Sequence, residues 1–252
     1  MKIYLKLIGL AFILMFVLSL FSIAGILLKA TDREMTILQM TAFLFSAICL
    51  YFYIKRKDNT LKAFGFRKIK IEIFSIVVVL FMLLVVAIQP LILGIDNSLS
   101  FSNIFLITLQ MILVGLVEET FFRGVFYYYL KNKTAIVYIL FSSIVFGVLH
   151  ITSGINPDTT PILVVLQFGN TLLLSAVFSL IYLKTQSIYP VIIFHTLFNL
   201  LASISNSGSL QQNIFIVDAL SLIYSLFLFF YGITHWDPLK QSNKKVKKNA
   251  HD

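Results

Sequence analysis

Three groups of polar side chains stand out in an otherwise apolar chain. Glu118 and Glu119 are adjacent and are followed by Arg123. His150 closes an apolar stretch that also holds Phe146, and His195 and Asn199 lie four residues apart in another. A carboxylate beside a histidine can hold a water and take its proton. A histidine ring N–H and an asparagine amide can donate to one developing negative oxygen. Together they form the equipment for hydrolysing an amide. On a helix, Glu119 and Arg123 share one face, acid before base, which suits an ion pair. Glu118 then points about 100° away, with no cation of its own on the helix, beside Phe121 and Phe122. It is the carboxylate left available for chemistry. Phe146, one turn before His150, can hold that imidazole in one orientation.

The elements that must position these groups follow from composition. Of 252 residues, 59% are hydrophobic and only 12% are charged. That balance excludes disordered, coiled-coil and ordinary soluble classes and indicates a polytopic membrane protein. One cysteine, Cys49, excludes an internal disulfide and a cysteine-based metal cluster. Eight apolar stretches are expected to be helices: 7–28, 35–54, 73–93, 104–130, 135–150, 161–183, 188–204 and 214–233. The net charge of +9 is ascribed to membrane orientation, and no nucleic-acid partner is expected. Lys2 and Lys6, the cluster from Lys55 to Lys70, Lys131, Lys133, Lys184 and the run from Lys240 to Lys248 would share one side. Only Lys29 and Arg33 fall on the other, and Arg123 sits within a span. Eight spans with both termini cytoplasmic satisfy this distribution.

Ionisable groups inside a bilayer are costly, and they usually face an interior or a cavity. Counting about 1.5 Å per helical residue from the flanking lysines, Glu118, His150, His195 and Asn199 fall in one slab about 9 Å thick. Three separate helices thus place polar groups at one depth. An intrahelical ion pair that merely locks packing would account for Glu119 and Arg123 but not for Glu118. Gln167 and Asn170 are read as interhelical hydrogen-bonding residues, with lining of the cavity as the alternative, and Asp218 as interfacial.

The motifs Glu118-Glu119-x-x-x-Arg123, Phe146-x-x-x-His150 and His195-x-x-x-Asn199, in this order, resemble the CPBP family. These are the CAAX-protease and bacteriocin-processing (Abi, type II CAAX prenyl endopeptidase) intramembrane proteases. The resemblance covers roughly residues 104–204. It implies a glutamic intramembrane endopeptidase with a helical core around a hydrated cavity. Glu118 with His150 would activate water, His195 with Asn199 would stabilise the oxyanion, and Glu119 and Arg123 would support them. It also implies a bacterial peptide-processing or immunity setting.

The expected organisation is therefore all-α: eight transmembrane helices around a central hydrated cavity. Residues 1–100 form N-terminal helices without motifs, 101–233 the catalytic core, and 234–252 a basic cytoplasmic tail. The expected partners are a hydrophobic or lipid-anchored peptide and the lipid bilayer of the bacterial cytoplasmic membrane. No cofactor is expected. The mechanistic rival is zinc held by Glu118, His150 and His195, disfavoured by the missing HExxH motif and by the lack of a recognisable carboxylate behind either histidine. A scaffold or regulator of peptide export or immunity is the non-catalytic alternative. A transporter is disfavoured because no internal repeat is visible.

Overall fold

The computed structural model describes residues 1–69, 73–151 and 160–234. The expected basic tail, from Lys240 to Lys248, and Lys70 lie outside the described residues. Nine α-helical elements are described: α1 (Lys2–Leu27), α2 (Asp32–Lys55), α3 (Ile73–Leu93), α4 (Phe101–Glu119), α5 (Phe126–Leu130), α6 (Ala135–His150), α7 (Pro161–Thr185), α8 (Tyr189–Ser203) and α9 (Leu210–Thr234). α4 and α5 are joined by a π-helical turn, Thr120–Val125, into one rod. Six rods are long and apolar enough to cross a membrane, while α6 and α8 are apolar but shorter. The protein is thus an integral, multi-pass, all-helical membrane protein.

Local sequence explains most helix starts. Thr31 accepts from the Glu34 N–H while Glu34 reaches back to the Thr31 N–H, a reciprocal cap. Ser100 and Thr134 cap α4 and α6 through single hydrogen bonds to Asn103 and Val137. Pro161 opens α7, where a missing N–H costs nothing.

The π turn was not foreseen in the sequence, where the span from Ile104 to Leu130 reads as one α-helix. All six of its residues are buried. A π turn disturbs the regular i→i+4 ladder, and here the buried Ser142 hydroxyl on α6 donates to the Phe122 carbonyl at 3.2 Å. Against this turn docks the loop between α2 and α3, which the sequence presents only as a basic connection. Its Phe64 is buried and stacks on Tyr128 at 4.7 Å, and the Gly65 carbonyl accepts from the Ile188 N–H at 2.9 Å. Asp58 shapes the loop by accepting from the Ala63 and Thr60 N–H groups and the Thr60 hydroxyl. The Ala63 N–H, above all, holds the Asp58 carboxyl below its ordinary range. These bonds are therefore in place at neutral pH and are lost as the pH falls through that lowered value. The same end of the bundle carries a Lys6–Tyr129–Tyr53 chain of hydrogen bonds.

α4 lies between α2 and α8. Its approach to α8 depends on Gly115, where an added Cβ would lie 2.6 Å from Thr196 Oγ1 and 3.0 Å from the Ile192 carbonyl. The Thr196 hydroxyl donates to the Met111 carbonyl across this seam. Close packing here brings His195 on α8 to the two glutamates of α4. Gly115→Val should therefore lower stability in detergent by about 1–3 kcal/mol, the usual cost of overpacking, measured as a lower thermal unfolding midpoint. An unchanged midpoint would show that the seam has slack.

Candidate active site

The buried end of α4 and the π turn build an ionic centre. Glu119 and Arg123 are both 0% exposed. Arg123 Nε lies 3.2 Å from Glu119 Oε2, and a terminal guanidinium nitrogen donates to Oε1 at 3.2 Å. The other terminal nitrogen donates to the Ser175 hydroxyl at 2.7 Å and to the Ser175 carbonyl at 3.1 Å. The guanidinium carbon lies 5.0 Å from the Phe146 ring centre and 5.1 Å from that of Phe178. This cation is thus paired, hydrogen-bonded and covered by aromatic faces, as a buried charge must be.

Glu119 has a second partner. Its Oε1 accepts from His195 Nδ1 at 2.7 Å, and His195 is 4% exposed. The sequence offers no recognisable carboxylate behind either histidine, and the structure supplies one: Glu119 stands directly behind His195. On its other side, His195 Nε2 lies 3.8 Å from Glu118 Oε2. Because Nδ1–H is committed to Glu119, Nε2 can donate a hydrogen bond only when the ring carries both protons. Arg123 balances one of the two carboxylates, and a proton on His195 would balance the other.

Glu118, His150 and Asn199 line one cavity of about 860 Å³, which is also walled by residues of α1, α2 and α7. Glu118 Oε2 receives no hydrogen bond from the protein. His150 Nδ1 lies 2.9 Å from the Phe146 carbonyl. A carbonyl only accepts, so Nδ1 carries the proton and Nε2 of the neutral ring is left as the basic atom. Phe146 packs at 4.3 Å against the His150 ring, as its spacing suggests, and in addition touches Phe122, Arg123 and His195. His195 lies a layer deeper than the cavity wall, behind Glu118.

Other contributing residues were not foreseen. Ser175 and Phe178 hold Arg123, and their only sequence signal is a serine recurring at Ser175 and Ser179 within an apolar helix. Residues 1–100 show no motif, yet α1 and α2 form much of the cavity wall, and Gln39 on α2 accepts a hydrogen bond from Gln110 on α4 at 2.7 Å. Two polar amides in apolar spans were the available signal. Asn170 does join helices, donating to Val217 and Ser221 of α9, whereas Gln167 lines the cavity. Asp218 is exposed on α9. Among the described residues, no group of three His, Cys, Asp or Glu side chains is arranged to hold a metal ion.

Residues 100–201 match the family model described as type II CAAX prenyl endopeptidase Rce1-like. Over this stretch the chain is similar to that family of proteases. No curated protein matches it at a significant level.

Removing one partner of a buried ion pair strands the other charge, at a cost of about 3–5 kcal/mol. Arg123→Met should therefore sharply lower the thermal midpoint in detergent, and Arg123→Met combined with Glu119→Gln should recover part of the loss. A double variant as unstable as the sum of the single ones would refute the pairing.

Proposed function

We propose that the protein is an intramembrane endopeptidase that hydrolyses a peptide bond of a hydrophobic or lipid-anchored peptide, using water activated by Glu118 and His150. The observation that carries this reading is Glu118. Its side chain lines a cavity shared with His150 and Asn199, and its buried Oε2 has no protein donor and lies 3.8 Å from His195 Nε2.

The steps follow from these groups. Glu118, aided by His150 Nε2, takes a proton from water as the water oxygen attacks the peptide carbonyl carbon. The carbonyl π electrons move to oxygen, and the resulting oxyanion accepts from the Asn199 amide and from Nε2–H of doubly protonated His195. Glu119 and Arg123 orient and neutralise His195 without touching substrate. The C–N bond then breaks, its electron pair goes to nitrogen, and the proton held by Glu118 passes to that nitrogen.

In this reading all eight helical rods cross the bacterial cytoplasmic membrane, with both termini in the cytoplasm and residues 234–252 as a basic tail. The mechanism uses no metal. A zinc-dependent variant keeps one observation in its favour, because a carboxylate behind a histidine is also how metal-binding histidines are oriented.

Both points are tested together by comparing membrane peptides from cells carrying the natural chain or Glu118→Gln. A fragment present only with the natural chain is expected, together with wild-type thermal stability of the variant. Equal cleavage by Glu118→Gln would remove Glu118 as base. Cleavage by the purified protein should survive exhaustive chelation; loss on chelation and recovery with zinc would decide for the metal.

A further inference from the structure

The Gln39–Gln110 pair is a polar feature of the cavity that the reaction scheme leaves unused. Its hydrogen bond, 2.7 Å from Gln110 Nε2 to Gln39 Oε1, engages one donor and one acceptor. Each glutamine amide has two donor hydrogens and an oxygen with two lone pairs. Both amide hydrogens of Gln39 and the carbonyl oxygen of Gln110 therefore remain, on two side chains that both line the cavity. Exchanging O and N in both amides reverses the bond and again leaves N–H donors on one residue and a free C=O on the other. Side by side, these are the complement of a peptide backbone. The pair differs from Asn170, whose amide is spent on the α7–α9 joint.

Position strengthens the case. Gln110, Val114 and Glu118 recur every four residues and line the cavity as one stripe of α4. The amide pair is eight residues from Glu118, about 12 Å along the helix. An extended peptide covers that distance in about three to four residues. The cavity wall is mostly apolar, with Ser19 and Ser22 on α1 among its lining and with Met15 on α1, Met35 on α2 and Met111 on α4 as adaptable side chains. Methionine re-packs around differently shaped partners, so this wall accepts varied apolar side chains.

We propose that Gln39 and Gln110 form a subsite that binds the main chain of an extended, uncharged peptide segment about three to four residues from the bond that is cut. The inference rests on the endopeptidase reading of the cavity. It assigns substrate selection to backbone hydrogen bonding, with loose side-chain selectivity, and it gives α2 a role in binding.

The test is equilibrium binding, measured by fluorescence polarisation in detergent, to the full chain carrying Glu118→Gln. The probe is a dansyl-labelled peptide of alternating Leu and Ala blocked at both ends. A companion set replaces one backbone amide at a time by an ester. One or two ester positions should weaken binding by about three- to tenfold, the worth of a backbone hydrogen bond. Gln39→Leu and Gln110→Leu should weaken the parent peptide by a similar factor and abolish the sensitivity to those esters. Failure of the peptide to bind, the absence of any sensitive ester position, or unchanged affinity and ester sensitivity in the leucine variants would each overturn the proposal. The ester series on the chain with both glutamines intact stands even where a leucine variant fails to fold. Because binding is read without the Glu118 carboxylate, a wrong assignment of the base leaves this test unaffected.

Discussion

A buried charge in a membrane protein must be neutralised where it sits, and Arg123 meets that constraint with a carboxylate, a serine and a cage of aromatic faces. Glu119 is thereby fixed on two sides, by Arg123 and by His195. The imidazole gains a defined tautomer and orientation, because Glu119 accepts a hydrogen bond from its Nδ1–H. Nε2 is then directed toward Glu118. One ion pair thus organises α4, α7 and α8. Two neighbouring glutamates of the same type acquire different roles through environment alone: one is spent on internal neutralisation, and the other remains at the cavity wall.

The bundle is polarised along its axis. At the lysine-rich end, aromatic rings and the docked loop close the core: Phe64 seals the π turn, and Phe122, Phe126 and Phe146 fill the space beside it. Toward the other end the cavity opens among α1, α2, α4 and α8. Glu118 lies where the two halves meet. A carboxylate there has a buried aromatic layer behind it and the cavity in front. Such a boundary strengthens electrostatic interactions on one side while allowing reactant entry on the other.

Much of this was legible in the sequence because the strongest signals are local. Apolar run length places the helices, and the spacing of Glu119 with Arg123 and of Phe146 with His150 survives into contacts. The remainder depends on tertiary packing that periodicity does not encode. His195 joins Glu119 only because Gly115 lets α8 approach α4. Ser175 and Phe178 become partners of Arg123 only once α7 is placed. The π turn breaks the uniform helix that the apolar pattern of residues 104–130 suggests, since hydrophobicity does not distinguish one helical ladder from another. The first hundred residues carry no charge signature within their spans, so their share of the cavity wall is invisible until α1 and α2 are seen beside α4.

The central claim is that Glu118 faces a hydrated cavity while the residue beside it is sealed in the core. The single native cysteine, Cys49, makes this directly measurable. In a Cys49→Ser background, Val114→Cys, Val117→Cys and Glu118→Cys can each be exposed in membranes to a charged methanethiosulfonate reagent. Val114 and Glu118 line the cavity, and Val117 is 0% exposed. Rapid modification at positions 114 and 118 with protection at 117 is expected. Protection at 118, or modification at 117 as fast as at 118, would contradict the account.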